Sequence, residues 1–343
     1  MRIDGRARIA PGPSPWRSGA AVVLTALVAV WLAPGPPAMA GPPSDGPRAE
    51  LRGLVENVQG ATARRYQVKD SAGRSMDAAK VIQSGAGSYL AVYHTLRADG
   101  RFHAALATSS DLLNWTFTTD FGAGSSQPTI KAAPGGGYVV AWEQDPGNHI
   151  AVRYFPDLQR LRAGAAERSF DAPRPLSSCA EGTPNIYSIR FEPDAAHSVI
   201  DLGGHYYSGC DVDRQQRATL TNFSTWHAAA QPQVDNAMLY WGVQGNIGDR
   251  DDVVFKTFPY GLFEGQFVKG DFGSWRTFLY DYSTGNADQL SVRTDHGSAA
   301  FANPSITMLT APDGRPAVVV SLFLPSEGAG PGEPGQLLYY RTL

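Results

Sequence analysis

The sequence lacks the signatures of several common protein classes. It holds only two cysteines in 343 residues, Cys179 and Cys210, and shows no Cys/His spacing of the kind that binds structural zinc. It has no phosphate-cradling glycine loop, no dinucleotide-binding fingerprint and no Ser-His-Asp signature. These absences argue against zinc-stabilised folds, nucleotide-dependent chemistry and serine-hydrolase chemistry.

Positive charge is also scarce. The formal net charge is −3 at pH 7, and it becomes −6 once the first 40 residues, with four arginines and one aspartate, are set aside. No basic patch remains that could bind nucleic acid or an anionic membrane surface. We therefore expect neither as a partner of the mature chain, and we expect that chain to be a monomer.

Long hydrophobic runs are missing except near the N terminus. An arginine-containing leader precedes an apolar run over residues 20–32, and the small-residue exit Ala38-Met39-Ala40 follows. This pattern is typical of a secretory signal peptide over residues 1–40, because the run is short for a bilayer span. A retained membrane anchor is the alternative. We expect an extracellular protein, in which Cys179 and Cys210 form a disulfide.

The rest of the chain divides into a short linker and one large domain. Residues 41–60 begin with a Pro/Gly-rich stretch, which predicts a flexible linker. Residues 61–343 are enough for a single β-domain with a substantial core.

Helical periodicity is also absent after residue 40. Short apolar runs alternate there with clusters of Gly, Pro, Asn and Asp, as strands and hairpin turns require. A polar-Pro-polar-Ile pattern recurs at 127–130, 183–186 and 303–306, with looser relatives at 77–82 and 245–249. The period of roughly 50–63 residues and the four short strands in each of the first four units predict an all-β, five-bladed β-propeller.

The two chain ends are predicted to meet in one blade. The fifth unit ends at Leu343 after its third strand, and a spare strand at 65–69 precedes the first unit. We expect this N-terminal strand to complete the last blade, because a closed ring leaves only short sheet edges.

Polar residues collect on the first strand of each unit, which lines the central channel of a propeller. They are Asp77, Lys80, Gln127, Thr183, Asn185, Asn246, Asp249, Arg250 and Asn303. Since buried polar groups must be paired or solvated, this set predicts either a wet pocket or a tight internal network.

Two acids, Asp77 and Glu181, stand at equivalent ends of first strands in units 1 and 3. Across a narrow channel such a pair suits glycoside hydrolysis, in which one acid protonates the leaving oxygen and a second carboxylate activates water. If the reaction inverts the anomeric centre, the two carboxyls are expected roughly 6.5–9.5 Å apart.

Three segments resemble glycoside hydrolase families 43 and 62. Residues 77–93 are similar to their opening blade, 181–187 to the third-blade motif that carries their general acid, and 109–115 to a Ser-x-Asp-Leu-x-Asn-Trp hairpin common in sugar-acting propellers. The resemblance implies Asp77 as general base and Glu181 as general acid, without a required cofactor. It also implies an inverting enzyme that acts on furanosides or pentose-containing polysaccharide.

Two departures from that pattern concern the acids. Gln127 stands where those families place a third aspartate, and a neutral amide cannot raise the pKa of the acid by charge repulsion. Glu181 lies one residue further from its strand than the family spacing expects. Glu143, on the same unit as Gln127, is a candidate replacement for the third acid.

The fourth unit concentrates charge in Asp249, Arg250, Asp251 and Asp252. These residues could form a salt-bridge network around Arg250 or a solvated turn. Alternatively, Arg250 could clamp a substrate hydroxyl or carboxylate, with Asp249 orienting it. A structural calcium ion is a weaker option, because the spacing of a dedicated calcium loop is absent.

Carbohydrate is therefore the expected ligand. The candidate binding residues are Gln127, Asn185, Asn246, Asp249, Arg250, Glu264, Asn303, His94, Trp142 and Glu143. A structural role is the alternative for His94 and Trp142. Two rival functions stay open: a non-catalytic, lectin-like propeller, which Gln127 favours, and a purely structural interaction protein, which would not account for the polar channel.

Overall fold

The computed structural model describes residues 46–343, so the predicted signal peptide at 1–40 lies outside the described residues. The described chain forms five four-stranded antiparallel sheets, each built from strands that are adjacent in sequence except at the point of closure. The predicted all-β, five-bladed propeller is therefore confirmed.

The strands fall into blades as follows. One short strand, β1 (Ala63–Arg65), precedes blade 1, which contains β2 (Asp77–Gly85), β3 (Ser88–Leu96), β4 (Phe102–Ser109) and β5 (Thr116–Ala123). Blade 2 contains β6 (Ser125–Ala132), β7 (Tyr138–Gln144), β8 (His149–Phe155) and β9 (Arg168–Asp171). Blade 3 contains β10 (Glu181–Phe191), β11 (Ser198–Ser208), β12 (Val212–Thr221) and β13 (Thr225–Ala230). Blade 4 contains β14 (Arg250–Phe255), β15 (Phe258–Gln266), β16 (Trp275–Asp281) and β17 (Asn286–Gln289), and blade 5 contains β18 (Ala302–Thr310), β19 (Pro316–Leu324) and β20 (Gly335–Thr342).

Strand β1 closes the ring. It pairs antiparallel with β20, with Ala63 opposite Tyr340 and Arg65 opposite Leu338, so that blade 5 gains its fourth strand. The predicted closure is confirmed, although the paired residues start two positions before the expected segment. Closure ties the chain ends together and covers an edge that could otherwise pair with another chain.

A β-bulge recurs in the innermost strands of blades 1, 2, 3 and 5. Each bulge contains one non-glycine residue with positive φ: Ala78 (53°), Gln127 (49°), Thr183 (47°) and Asn303 (46°). In three of the four, proline comes next, and a bulge is one of the few places in a sheet where the missing N–H costs no ladder bond. The recurring polar-Pro pattern in the sequence therefore marks this bulge. The bulge changes the direction of side chains at one end of the central channel, the end at which Ala78, Gln127, Thr183 and Asn303 lie. We call this end the channel mouth.

Residues 47–60 correct the expectation of a flexible linker. Pro47–Glu56 form helix α1, and a 3₁₀ turn follows at Val58–Gly60. Leu51 and Val55 are fully buried in a hydrophobic cluster with residues of blades 4 and 5. In addition, Arg48 donates a 2.8 Å hydrogen bond to Asp288. The Pro/Gly-rich composition of residues 41–50 concealed a helix that begins within them.

Replacing Leu51 with alanine is expected to lower the free energy of unfolding by about 2–5 kcal/mol, because the side chain leaves a cavity in a packed cluster. Chemical denaturation measures the effect, and the half-buried Leu54 provides the milder comparison. A loss below 0.5 kcal/mol, as flexible or surface segments show, would contradict the packing described for α1.

Two short helices lie outside the sheets: α2 (Leu158–Arg162) and α3 (Pro232–Leu239). No helix among residues 46–343 is both long enough and apolar enough to cross a membrane.

Cys179 and Cys210 form the predicted disulfide, with their Cα atoms 5.7 Å apart. It joins the loop before β10 to the turn between β11 and β12. The bond therefore fixes the segment that leads into the acidic motif at Glu181.

Candidate active site

Two adjoining cavities open at the channel mouth. The first has a volume of about 410 Å³ and the second about 260 Å³, and they share Gln127, Thr183, His205 and Asp213. We call them the first lobe and the second lobe. The first lobe is otherwise lined by His94, Phe102, Ser126, Glu143, Asn148, Ala180 and Tyr207. The second lobe is otherwise lined by Asn246, Gly248, Glu264, Phe272, Trp275, Ala302, Asn303, Phe323 and Pro325.

A polar network crosses the channel and joins its innermost strands. The buried Arg250 donates from Nη1 to the carbonyl oxygen of Thr183 at 2.6 Å. Asp251 pairs with Lys80 and accepts from the Ser305 hydroxyl at 3.0 Å. The pairing of Lys80 with Asp251 compensates both of their charges, whereas the Nε atom of Arg250 has no hydrogen-bond partner among the described residues. This part of the channel is therefore the tight internal network that the sequence allowed.

Several predicted binding residues belong to that network and do not line either lobe. The side chain of Asn185 donates to Asp252 at 2.9 Å, and the backbone N–H of Arg250 donates to Asp249. Burial first and the charge of Glu264 second raise the pKa of Asp249 well above its ordinary value. These residues therefore belong to an internal hydrogen-bonded network, in which Arg250 contacts the Thr183 carbonyl rather than a described carboxylate.

Glu181 has the contacts of a structural residue. Its carboxylate accepts hydrogen bonds from the backbone N–H groups of Leu176 at 2.6 Å and Ser177 at 3.0 Å, and from the Gln216 amide at 3.1 Å. The residue is 1% exposed and does not line the lobes. Its carboxylate therefore organises the loop before β10.

Asp77 also lies outside the two lobes, although its cross-strand partner His94 lines the first. The carboxyl of Asp77 is half-buried and accepts from the Ser75 hydroxyl, and burial raises its pKa. Neither Asp77 nor Glu181 lines the two lobes, so their catalytic pairing stays a prediction.

The Glu143 carboxylate occupies the space next to Gly182. Position 182, one residue after Glu181, is where the spacing of the resembled family motif would place its acid, and this chain has glycine there. A Cβ atom added to Gly182 would overlap the carboxylate of Glu143. The Glu143 carboxylate is held there by the side-chain amide of Asn148 at 2.7 Å and the backbone N–H of Thr183 at 3.2 Å. A carboxyl group from blade 2 thus takes up a position next to blade 3.

Burial raises the pKa of both carboxyls in the first lobe, Glu143 and Asp213. The pKa of Asp213 rises to about 6, against the opposing charges of Arg214 and Arg250. The pKa of Glu143 is raised by burial and further by the negative charge of Asp213, while His205 opposes the rise. Repulsion between the two charged forms is mutual, so it favours the state in which only one of the two carboxyls is ionised.

Glu264 supplies a third carboxyl, in the second lobe. Burial raises its pKa to about 7, and the charge of Asp213 contributes to the rise. Its oxygens accept from the backbone N–H groups of Asp249 at 2.8 Å and Asn303 at 2.5 Å. Glu264 therefore positions the innermost strands of blades 4 and 5 relative to each other.

The two histidines of the first lobe are neutral. Burial lowers the pKa of both His94 and His205 to about 4. Nδ1 of His94 accepts from the backbone N–H of Gln127 at 3.0 Å, and Nε2 of His205 lies 3.6 Å from Asp213. Neutral imidazoles at these positions can exchange hydrogen bonds with a ligand without adding charge.

The amides predicted at the channel mouth do lie there. The Gln127 side chain donates to Asn303 at 3.4 Å, and its Oε1 accepts no hydrogen bond within the protein. The side-chain oxygen of Asn246 accepts from the backbone N–H of Asp213 at 3.0 Å. This oxygen is buried and has no hydrogen-bond partner among the described residues.

Trp142 is a core residue. It is 4% exposed, stacks on Phe121 with ring centroids 5.5 Å apart, and donates its indole N–H to Gln144.

Asp213 lines both lobes but was not predicted from the sequence. It lies on β12, the third strand of its blade, whereas the candidate residues predicted from the sequence lie on first and second strands or next to them.

Within residues 46–343, no group of three or more His, Cys, Asp and Glu side chains is arranged to hold a metal ion. The acids of the fourth unit are directed to other partners, Asp251 to Lys80 and Asp252 to Asn185. Structural calcium stays an untested expectation.

Comparison with known proteins places this architecture among sugar-acting propellers. No family model and no curated protein matches the sequence. Among solved structures, a glycoside hydrolase aligns at TM-score 0.55 and 12% identity, covering 86% of this chain and 94% of that one. An exo-1,5-alpha-L-arabinanase from a bovine ruminal metagenomic library aligns at 0.51 and 12%, covering 80% and 95%. A GH62 hydrolase in complex with xylotriose aligns at 0.51 and 10%, covering 82% and 95%.

At 10–12% identity these likenesses concern the fold. The structural resemblance to glycoside hydrolase propellers, expected from three short motifs, is confirmed at that level. Since one fold can carry many functions, the activity must be argued from the residues at the channel mouth.

Proposed function

We propose that this protein is a secreted glycoside hydrolase in which Glu143 is the general acid and Asp213 the general base. The observation that carries the proposal is the pair of carboxyls in one cavity, with Glu143 beside Gly182, the position at which the spacing of the family motif would place the acid. A catalytic pair needs one protonated and one ionised carboxyl at the same pH. Burial and the mutual repulsion of Glu143 and Asp213 favour a state in which the pair holds one proton.

In this proposal the reaction is a single displacement at the anomeric carbon. Glu143 transfers its proton to the departing glycosidic oxygen, while Asp213 accepts a proton from the attacking water. The oxygen of that water forms the new bond on the opposite face of the sugar, which inverts the anomeric configuration. Release of the Asp213 proton and uptake of one by Glu143 restore the starting state.

The remaining polar groups of the lobes would bind sugar hydroxyls. Gln127 and Asn303 offer amides, and His94 and His205 offer neutral imidazoles. We propose furanosides or pentose-containing polysaccharide as substrates. The fold relatives that act on arabinan or bind xylotriose support this choice.

The rate of hydrolysis is expected to follow a bell-shaped dependence on pH. Asp213 must be ionised, so the rate rises as the pH passes its pKa of about 6. Glu143 must be protonated, so the rate falls at higher pH as Glu143 loses its proton. A kcat/KM profile measures both limbs. A rate that still increases as the pH falls from 5 to 4 would contradict the role of Asp213.

Incubation with arabinosyl, xylosyl and fructosyl substrates, with the product anomers followed by NMR, tests the reaction itself. Inverted product from at least one substrate is the expected result. Binding of the same sugars without turnover would favour the lectin-like alternative, which is supported by the neutral Gln127 in the position of a third acid. Retained configuration would exclude the single-displacement mechanism.

A further inference from the structure

The two lobes carry charge of only one sign. Their described lining residues include three carboxyls, on Glu143, Asp213 and Glu264, and no lysine or arginine. Arg250 is directed to the carbonyl oxygen of Thr183 and does not line either lobe. A sugar acid bound in the lobes would place its carboxylate beside Asp213 with no lysine or arginine in the lining to pair with it. Like charges at short range in a poorly solvated site are costly, so the lining selects against acidic sugars.

Aromatic side chains occupy the parts of the lobes that are not shared. Phe102, 43% exposed, lies in the first lobe, and Phe272, 57% exposed, lies in the second with Trp275 beside it. Aromatic rings combine a large apolar face with little conformational freedom, and the C–H face of a sugar ring complements such a surface. An exposed ring in each lobe, on either side of the shared Asp213, provides two separate contact points for a chain of sugars.

The network across the channel limits how a chain can lie. Arg250, Lys80, Asp251 and Ser305 join innermost strands of different blades, so a polysaccharide cannot thread along the axis. The lobes instead adjoin each other through Gln127, Thr183, His205 and Asp213. The continuous path for a ligand therefore runs sideways, from Phe102 past Asp213 to Phe272.

We propose that the substrate is a neutral polysaccharide chain bound across both lobes, with Phe102 and Phe272 as outer sugar-contacting residues and with cleavage at an internal bond. This inference rests on the proposed hydrolase function for the cleavage. The binding of a neutral chain across the lobes is independent of turnover.

Binding is measured by calorimetry with the Glu143→Gln variant, which keeps the ligand intact. The probes are arabinan-derived and xylan-derived oligosaccharides of one to six units, and galacturonate oligosaccharides of the same lengths. At least one neutral series is expected to gain affinity up to about four units, and galacturonate to bind at least about tenfold more weakly. Phe102→Ala and Phe272→Ala are each expected to weaken binding of the longer neutral chains by about tenfold, close to the contribution of one aromatic contact.

Phe258→Ala is the matched control, because Phe258 is 44% exposed and lies outside both lobes. Three results would overturn the proposal. The affinity would not increase beyond one sugar unit, galacturonate chains would bind as tightly as neutral chains, or Phe102→Ala and Phe272→Ala would bind as Phe258→Ala does. Length-dependent binding to a neutral chain that the wild type fails to cleave would sustain the binding inference while refuting the hydrolase function. In the wild type, release of single sugars without shortening of the main chain would overturn internal cleavage.

Discussion

The Glu143→Gln variant is expected to lose about 10²–10⁴-fold in kcat, the usual contribution of a general acid. Glutamine has the same shape but carries no proton that it can donate to the leaving oxygen. In glutamine one of the two carboxylate oxygens becomes an amide nitrogen. The backbone N–H of Thr183 can keep its bond to the remaining oxygen, and a rotated Asn148 amide can accept from the new nitrogen, so the fold should be unchanged. Steady-state kinetics on the best substrate, with circular dichroism as the test of folding, measure both parts of the expectation.

A substrate with a good leaving group sharpens this test. An aryl glycoside whose phenol leaves without protonation should recover much of the lost rate in Glu143→Gln, because the missing proton is no longer needed. The same substrate should not rescue Asp213→Asn, which lacks the group that activates water. Equal rescue of both variants would refute the division of roles between the two carboxyls.

Glu181→Gln and Asp77→Asn test the competing assignment suggested by the family motifs. The contacts of Glu181 are with a loop and with Gln216, so its replacement is expected to affect stability more than turnover. Loss of activity in the folded Glu181 and Asp77 variants, with activity retained in Glu143→Gln, would restore the motif-based pair.

The Arg250→Met variant is expected to lose about 3–5 kcal/mol of stability at pH 8, the effect of removing one partner from a buried charged network. The guanidinium is 2% exposed and donates to the Thr183 carbonyl, and its charge lowers the pKa values of Asp213 and Glu264. Without that charge, several buried carboxylates face one another uncompensated. Urea denaturation at fixed pH measures the loss, and the more exposed Arg217 is the control position.

The loss of stability in the Arg250→Met variant should depend on pH. In the folded wild type the pKa values of Asp213 and Glu264 are about 6 and about 7, above the ordinary carboxyl range. Folding therefore retains protons that the unfolded chain releases, and stability falls as the pH rises from about 4 towards these values. Removal of Arg250 raises both pKa values further, so its penalty should be larger at pH 8 than at pH 5. A penalty independent of pH would show that Arg250 acts through its Thr183 contact alone.

Local sequence patterns predicted the blades well because each blade is built from consecutive residues. Alternating apolar strands, turn residues and the recurring polar-Pro-polar-Ile pattern are all short-range signals. Helix α1 was not predicted, because residues 41–50 are rich in proline and glycine and the flexible linker predicted from that composition was extended to residue 60. The helix is stabilised chiefly by packing of Leu51 and Val55 against distant blades, which no local pattern reveals.

The candidate site was predicted only in part. Gln127, Asn246, Asn303, His94, Glu143 and Glu264 do line the lobes, because residues at the starts of first strands and the ends of second strands meet at the channel mouth. Asn185, Asp249 and Arg250 were expected at the same place but pair with one another or with neighbouring strands. Side chains alternate between the two faces of a strand, so a shift of one residue exchanges a cavity position for a buried one.

The amino-acid sequence by itself determined the five repeats, the closure of the ring by an N-terminal strand and the pairing of Cys179 with Cys210. Each of these follows from periodicity, chain length or cysteine count. Only the tertiary structure decided which acids share a cavity. A bulge begins after Gly182 in β10, and the carboxylate of Glu143 from the neighbouring blade occupies the space beside that glycine. That outcome depends on contacts between residues about 40 positions apart, and on burial that sets their pKa values, neither of which is encoded in any short stretch of the chain.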